Sequence, residues 1–327
     1  MQLNLPNRYP ELEDVKYCGS LTSLFEKDDS LRDGQGQIPN FFICGAAKSG
    51  TTSLFNYLGQ HPHIFVPELK EPGYFSLLRP IQEPSDYLEL FDKANGTKRI
   101  GEASGAYLTS PDSAHRIANV QPGAKIIIML RNPAERAFSL YRHMTRHGQE
   151  WVSSFQKAVH KEKERYRNRK FILNNPEYYY NFLYSISGIY SVQIKRYIKN
   201  FEVDNIKFII FEDFVEAPSA HTRDVFRFLG LDASVPVETP VHNKGQDIYS
   251  PRLQYFLSQK YRKSFLSELP AGLRLVRWMK RANGFFGRVA GSSAKIPRIL
   301  QGLEDWYVED IQRTSELTGL DLKSKWL

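Results

Sequence analysis

The stretch FFICGAAKSGTTSLFNYLGQHP, residues 41–62, decides the fold class of this chain. Its apolar beginning ends at a glycine and predicts a buried parallel strand, and residues 51–59 have the apolar spacing of a helix that stops at a glycine. Gly50 allows the backbone to approach an anion closely, and the first N–H groups of the helix point to the same place. The stretch therefore predicts a strand, a loop that holds a phosphate-like group, and a helix.

The lysine of this loop is not where the common nucleotide-binding consensus places it. The consensus Gly-x-x-x-x-Gly-Lys-Ser/Thr has lysine after the second glycine, whereas here Lys48 precedes Gly50 and Thr51 occupies the lysine position. A glycine turn with a surface lysine is the alternative, but the combination of strand, glycines, lysine, hydroxyls and helix favours an anion site. The residues predicted to hold the anion are Lys48, Ser49, Gly50, Thr51, Thr52 and Ser53.

Strands and helices alternate along the rest of the chain, which predicts an α/β fold with a central parallel sheet flanked by helices. The other predicted strands are 63–66, 125–130 and 206–211, and the other predicted helices are 86–93, 153–170, 187–201, 221–229 and the region from 250 onward. Residues 1–38 are polar and rich in turn formers, so we expect them to form an N-terminal arm, and residues 39–327 to form one domain.

The composition is that of an ordinary globular protein, with 41% hydrophobic and 24% charged residues among 327. The net charge of +8 favours anionic partners, although charge alone does not distinguish a phosphorylated substrate from a nucleic acid or a membrane surface. The sequence shows no nucleic-acid motif, metal-type Cys/His spacing, secretory signal or apolar segment of bilayer length. We therefore expect a soluble cytoplasmic protein that needs no metal and binds no nucleic acid, while the oligomeric state is left open.

A second motif, KIIIMLRNPAERAFSLYRHM, occupies residues 125–144. Arg131 directly follows an apolar strand, at the end where α/β folds bind ligands. Asn132 and Glu135 predict a helix start with a capping box, and Ser139 lies two turns along that helix. An arginine fork and a hydroxyl placed in this way can converge on a second phosphate. An ion-paired Arg131 with Ser139 in solvent is an equally open alternative from the motif alone.

The segments GAAKSGTTSL and LGQHPHIFVPELKEPGYFS, residues 45–54 and 58–76, resemble the sulfotransferases that use 3′-phosphoadenosine-5′-phosphosulfate (PAPS). The resemblance is to the branch that contains heparan sulfate sulfotransferases and their bacterial relatives, and it covers roughly residues 40–250. In that family the loop binds the 5′-phosphosulfate and its lysine contacts the leaving group, while an arginine and a serine at the spacing of Arg131 and Ser139 bind the 3′-phosphate. The resemblance implies a single P-loop-like domain in which Lys48 is both a catalytic and a donor-binding residue.

The resemblance also implies a catalytic base. LKEPGYFS, residues 69–76, matches a family segment that usually reads Lys-Glu-x-His-Phe-Phe, in which the glutamate is the base. Glu71 takes that role here, and Gly73 stands in place of the histidine. A carboxylate near Lys48 can accept the proton of an acceptor hydroxyl, although a solvated Lys-Glu pair is the ordinary alternative.

A further family segment is matched by GEASGAYLTSP, residues 101–111. Ala103 stands where the family often has lysine, so this segment supplies no second cation. Ser104 and Tyr107 are candidate pocket residues, and a turn at the end of a strand is an equal alternative.

Two later segments match the family in the region that covers the nucleotide. GIYSVQIKRYIKNF, residues 188–201, matches a family helix, which implies that Tyr190 lies against the nucleotide unless it packs in the core. VHNKGQ, residues 241–246, matches a loop that closes over PAPS. The resemblance therefore adds Lys244 and Gly245 to the donor-binding residues.

The implied reaction is transfer of the sulfuryl group from PAPS to a hydroxyl or amine of an acceptor, without a metal, to leave adenosine 3′,5′-bisphosphate (PAP). The acceptor partner is expected to be a carbohydrate, or else a lipid or small natural product. One alternative is a P-loop kinase or hydrolase, which would need a lysine after Gly50. The other is a non-catalytic anion-binding protein that uses the basic stretches 136–146 and 157–170, which a solvated helix face explains equally well.

Overall fold

The structure is a computed structural model that describes residues 31, 37–76, 78, 81, 83–166, 168–240, 249–262, 278–284 and 299–327. Apart from residues 31, 37 and 38, the expected N-terminal arm lies outside the described residues. None of the helices in the described part combines the length and the apolarity needed to cross a bilayer.

Five parallel strands form one sheet in the described part of the chain. They are β1 (Phe41–Gly45), β2 (Ile64–Phe65), β3 (Arg99–Ala103), β4 (Lys125–Leu130) and β5 (Ile206–Ile210). Their order across the sheet is β2-β3-β1-β4-β5, and every neighbouring pair runs parallel. The expected α/β fold with a parallel sheet is confirmed.

Helices connect the strands and cover both faces of the sheet. The α-helices of the described part include α1 (Thr51–Leu58), α2 (Pro84–Glu89), α3 (Ala106–Thr109), α4 (Ser113–Val120), α5 (Pro133–Arg146), α6 (Phe155–Tyr166), α7 (Arg169–Asn174), α8 (Tyr190–Asn200), α9 (Phe211–Glu216), α10 (Pro218–Phe228), α11 (Pro251–Arg262), α12 (Ile299–Thr318) and α13 (Lys323–Trp326). Phe41 and Ile43 of β1 share a buried cluster with residues of α1 and α10, and Phe42 and Cys44 share another with residues of α5 and α8. Because both faces are covered, the strand is apolar throughout rather than alternating.

The C-terminal helices complete the second of these clusters. Leu303, Tyr307 and Ile311 of α12 are buried with Phe42, and Trp326 of α13 belongs to the same core. The prediction that the region after residue 250 is helical is therefore confirmed for the described residues.

Several expected element boundaries were wrong. The region 153–170 is two helices, α6 and α7, because the Asn168 side chain accepts a hydrogen bond from the N–H of Phe171 and caps a new helix. The helix expected from residue 187 begins at Tyr190 after a 3₁₀ turn, Ile186–Gly188. The helix expected at 86–93 is α2, which lies nearer the N-terminus because Pro84 occupies its first position.

Strand β3 was missed by sequence periodicity because glycine and glutamate interrupt its short apolar pattern. Gly101 is required there since a Cβ would lie 2.0 Å from Cζ of Phe41 on the neighbouring strand. Glu102 is fully buried, and its hydrogen bonds, described below, compensate for its burial.

Candidate active site

The carboxyl ends of four neighbouring strands meet at one edge of the sheet, and the residues that follow them form the candidate site. The loop after β1 leads into α1, Ser104 follows β3, Arg131 follows β4, and Phe211 follows β5. Ligands of open parallel sheets bind at this edge, beside the point where the strand order reverses.

The loop after β1 has the geometry of an anion cradle. Gly50 occupies the N-cap of α1 with a φ of 86°, and no side chain caps the helix. The first N–H groups of α1 are therefore left for another acceptor. A Cβ at Gly50 would lie 3.0 Å from Cδ2 of Phe211, so both the backbone angle and the space favour glycine.

Lys48 lies inside the loop and points its ammonium group into the cleft. Its Nζ is 3.5 Å from Nδ1 of His143 on α5. Burial is the main cause that lowers the pKa of Lys48 to about 8, with further lowering from Arg146, Arg131 and other cations, and Glu71 acts in the opposite direction. Lys48 is therefore a partly desolvated cation surrounded by other positive charges, which is an environment that favours an anionic ligand.

Arg131 is held by several groups around its guanidinium. Nη2 donates to Glu135 at 2.8 Å, Nη1 lies 3.5 Å from the carbonyl of Lys48, and the guanidinium stacks on the Phe211 ring at 4.7 Å. Its buried Nε has no hydrogen-bond partner among the described residues. The ion pair that the sequence left open does form, yet one buried donor remains available to a ligand.

Of the two hydrogen bonds expected in the capping box, one is formed and the other is not. Asn132 caps α5 as expected, since its side chain accepts from the N–H groups of Ala134 and Glu135 at 3.0 and 3.2 Å. The Glu135 carboxylate binds Arg131 instead of the Asn132 N–H, which donates to Glu212 at 3.1 Å. The competing guanidinium offers an ion pair in addition to a hydrogen bond, which the neutral amide does not.

One cleft of about 800 Å³ brings the two expected phosphate sites together. Among the residues that line it are Lys48, Gly50, Thr51, Thr52, Ser53, Glu71, Arg131 and Ser139. Ser49 is fully buried beneath the loop, and its hydroxyl has no hydrogen-bond partner among the described residues. The loop and the second motif therefore line one site.

Glu71 lies on a loop that is bonded to the end of β3. The N–H of Gly105 donates to Oε2 at 2.6 Å, and Lys70 pairs with Oε1. The N–H of Glu71 itself donates to the carbonyl of Ala103 at 3.0 Å, and its φ is 66°. With 49% of the side chain exposed, the carboxylate is fixed in direction and accessible from the cleft.

A buried carboxylate supports this loop from behind, which sequence reasoning missed. Glu102 accepts hydrogen bonds from Ser104 at 2.7 Å, Tyr87 at 2.6 Å and Tyr107 at 3.0 Å. Ser104 and Tyr107 in turn accept from the N–H groups of Gly73 and Phe75. Burial is the main cause that raises the pKa of Glu102 to about 7.

The two candidate pocket residues of this segment, Ser104 and Tyr107, therefore have different positions. Ser104 lines the cleft, whereas Tyr107 is fully buried and supports the loop. The sequence signal for the network was the run Gly-Glu-Ala-Ser at the end of a strand, but no pattern indicates that its glutamate is buried.

Tyr190 is placed below the cleft rather than in it. Its side chain is fully buried, its hydroxyl donates to the carbonyl of Arg131 at 2.9 Å, and it is not among the residues that line the cleft. The core-packing alternative therefore describes its position. Lys244 and Gly245 lie outside the described residues.

His143 is a site residue that sequence reasoning missed. It lies four residues after Ser139 on α5, and so on the same helix face. Burial is the main cause that lowers its pKa to about 3, followed by the charge of Lys48. The imidazole is therefore neutral at neutral pH, and its Nδ1 can accept a hydrogen bond from the lysine.

No group of three or more His, Cys, Asp or Glu side chains in the described part of the chain is arranged to hold a metal. Lys48, Lys70 and Arg131 are the lysines and arginine among the described residues that line the cleft.

Comparisons with known proteins match the part of the chain that forms the candidate site. A family model described as "Sulfotransferase domain" matches residues 39–267. The crystal structure of a sulfotransferase from Alicyclobacillus acidocaldarius superimposes with a TM-score of 0.66 at 31% identity, over 89% of this chain and 99% of that one.

Two curated relatives match over shorter shares of their length. "Membrane-associated sulfotransferase kil1" of Dictyostelium discoideum is 33% identical over 136 residues, 38% of this chain and 28% of that protein. "Bifunctional heparan sulfate N-deacetylase/N-sulfotransferase 1" of Caenorhabditis briggsae is 24% identical over 227 residues, 65% of this chain and 25% of that protein. The match spans about a quarter of the length of these relatives.

Proposed function

The chain belongs to the sulfotransferase family and is an enzyme of that class, and on this premise we propose that it transfers the sulfuryl group from PAPS to a hydroxyl or amine of an acceptor. One observation carries the proposal: Lys48 in the loop and the pair Arg131 and Ser139 line the same cleft. PAPS carries a phosphate-type group at each end of its ribose, so a donor of this kind needs two anion sites in one cleft.

The residues present fit such a donor. Gly50 and the uncapped N-terminus of α1 offer backbone N–H groups to the 5′-phosphosulfate. The unpaired Nε of Arg131 offers a buried charged donor to the 3′-phosphate, and Ser139 also lines the cleft. An uncompensated buried donor is costly unless a ligand completes it.

Lys48 is the group that stabilises the leaving phosphate. With a pKa of about 8, it is mostly protonated at neutral pH, so a positive charge faces the place where negative charge develops during transfer. The bond between sulfur and the bridging phosphate oxygen breaks as the acceptor oxygen or nitrogen bonds to sulfur, and PAP leaves with both bonding electrons.

Glu71 is the base that takes the acceptor's proton. The Gly105 N–H and Lys70 each bind one of its carboxylate oxygens, so the side chain has little freedom to rotate. A carboxylate held in this way can receive the proton when the acceptor attacks sulfur. Gly73 and Ala103, which replace a histidine and a lysine of the family pattern, leave this pair intact.

We propose a carbohydrate as the acceptor. The relatives named heparan sulfate N-deacetylase/N-sulfotransferase act on a glycan, and Tyr178 and Tyr180 line the cleft. Aromatic faces beside a hydroxyl-accepting site suit the apolar face of a sugar ring.

The donor is tested by calorimetric titration with PAP and with ADP. We expect PAP to bind much more tightly, because only PAP presents phosphates to both anion sites. Preference for ADP would instead support a kinase or hydrolase, and it would overturn the proposal.

The reaction is tested by incubating the protein with ³⁵S-labelled PAPS and a panel of acceptors that comprises desulfated glycans, hydroxylated lipids and phenols. Label transfer that is lost in Lys48→Ala supports the enzyme assignment. Transfer only to a lipid or phenol would refute the carbohydrate acceptor, and tight PAP binding without transfer to any acceptor class would favour a binding protein.

A further inference from the structure

The peptide bond between Arg131 and Asn132 is held at both of its polar atoms. The carbonyl of Arg131 accepts the Tyr190 hydroxyl at 2.9 Å, and the N–H of Asn132 donates to Glu212 at 3.1 Å. A peptide plane bonded on both sides cannot rotate without losing a hydrogen bond. The direction in which the Arg131 side chain leaves the backbone is therefore set by Tyr190 and Glu212.

The first of these partners is fixed by the C-terminal helix α12. Asp310 accepts hydrogen bonds from the N–H groups of Tyr190 and Ser191 at 2.8 and 3.2 Å, and from the Ser191 hydroxyl at 2.5 Å. The local N-cap residue, Ile189, has no side chain that could do this. Asp310, which is 1% exposed, therefore caps α8 from 120 residues further along the chain.

A second contact of α12 fixes the turn that precedes α8. The Tyr307 hydroxyl donates to the carbonyl of Ser185 at 2.6 Å. A Cβ at Gly188 would lie 2.6 Å from that hydroxyl oxygen and 3.2 Å from Cβ of Pro133. The turn, α12 and the start of α5 thus pack together without spare space.

The second partner of the peptide is fixed by α13. The indole N–H of Trp326 donates to Oε2 of Glu212 at 3.2 Å, while Oε1 of the same carboxylate accepts from Asn132. Lys325 pairs with Asp213 at 2.5 Å beside it. The Trp326 ring also lies 6.2 Å from the ring of Tyr190, so α13 contacts both partners of the peptide.

Residues 299–327 lie beyond the family match, which ends at residue 267. Docking of a helix only to bury apolar surface would not require its polar atoms to converge. Here two routes, one through Asp310 and Tyr190 and one through Trp326 and Glu212, end at opposite atoms of one peptide. We propose that residues 299–327 form a C-terminal clamp that positions Arg131 and thereby sets the selectivity of the site for the donor's 3′-phosphate.

This inference rests on the proposed function, because it assumes that Arg131 binds the 3′-phosphate. Asp310 and Trp326 are positioning residues, since neither lines the cleft. Loss of one of their hydrogen bonds is expected to weaken binding of the 3′-phosphate by about 2- to 12-fold. Binding through the 5′ end is expected to be unchanged, because in the proposed function that end is held by Lys48 and the N-terminus of α1 rather than by Arg131.

The experiment compares PAP with adenosine 5′-monophosphate, which lacks the 3′-phosphate, by calorimetric titration of the full chain. Asp310→Asn removes the charge and one helix-capping acceptor, and Trp326→Phe removes the indole donor but keeps an aromatic ring. Glu309→Gln is the matched control, because Glu309 lies next to Asp310 and its exposed carboxylate pairs with Arg313 on the helix surface. We expect both clamp variants to lose affinity for PAP but not for the monophosphate, while the control keeps both affinities.

Equal weakening of the two nucleotides in the clamp variants, or no weakening of either, would overturn the clamp. If the wild-type protein itself does not prefer PAP to the monophosphate, the proposed donor fails rather than the clamp alone. Trp326→Phe keeps the test available if Asp310→Asn does not fold, because it removes only one hydrogen bond.

Discussion

Nζ of Lys48 lies 3.5 Å from Nδ1 of His143, which joins the loop after β1 to helix α5 across the cleft. The two pKa values are lowered together: burial and neighbouring charges bring that of His143 to about 3 and that of Lys48 to about 8. At neutral pH the imidazole is therefore a neutral acceptor and the lysine a cation. Lys48 therefore adds a positive charge to the site at neutral pH and loses it in mildly alkaline solution.

PAP binding is predicted to weaken as the pH rises above about 8. A bound phosphate favours protonated Lys48, so above this pH binding must take up a proton, and the dissociation constant should rise by up to about tenfold per pH unit. Calorimetric titration between about pH 7 and about pH 10 measures this slope. Lys48→Ala should bind PAP weakly with no such slope and should transfer no sulfuryl group, and a wild-type affinity that stays constant would remove Lys48 from the leaving-group role.

Glu71→Gln is predicted to lower turnover with little loss of PAP affinity. The amide cannot accept a proton from the acceptor, so the rate should fall by about 10²- to 10⁴-fold. Steady-state rates with labelled PAPS and PAP titration measure the two quantities. Glu68→Gln, an exposed glutamate three residues earlier, is the control and should change neither; equal losses of turnover and PAP affinity in Glu71→Gln would contradict the base assignment.

Arg131→Ala is predicted to weaken PAP far more than adenosine 5′-monophosphate. Loss of a charged donor to a buried phosphate should cost about 10- to 100-fold in affinity, and Ser139→Ala should cost less because its hydroxyl is neutral. Competition titration with the two nucleotides measures the difference. The control Arg227→Ala removes an exposed arginine on α10 and should leave both affinities unchanged. If Arg131→Ala weakens the binding of both nucleotides equally, Arg131 does not bind the 3′-phosphate.

Glu102 is predicted to make the folded state less stable as the pH rises from about 4.5 to about 7. Burial raises its pKa from 4.5 to about 7, so the folded protein binds this proton more tightly than the unfolded chain. The contribution is complete below the unfolded pKa and is lost as the pH passes the folded pKa. Over this pH range the contribution of Glu102 to the free energy of unfolding is expected to fall by about 3 kcal/mol.

Urea unfolding of the wild type and Glu102→Gln over this pH range measures the effect. The variant does not titrate at this position, so its stability should fall less steeply than that of the wild type. Glu162, whose pKa burial also raises to about 7, titrates in both proteins and sets the remaining slope. Parallel pH profiles for the two proteins would show that Glu102 does not carry the effect.

Sequence by itself determined the elements that depend on local spacing. The strand, loop and helix of residues 41–58 and the strand and capped helix of residues 125–146 could be predicted because apolar periodicity, glycine and helix caps act over a few residues. Their convergence was also predictable, since parallel strands end at one edge of their sheet.

Tertiary structure alone decided how these elements are held. Glu102 lies in a strand without clear periodicity, Tyr190 supports Arg131 from the core, and Asp310 caps a helix that begins 120 residues earlier. Periodicity records which face of an element is apolar, but it carries no information about which buried polar atoms meet across elements. These hydrogen bonds depend on how the whole chain packs. A buried polar group needs a hydrogen-bond partner, and that partner can belong to any element that the fold places beside it.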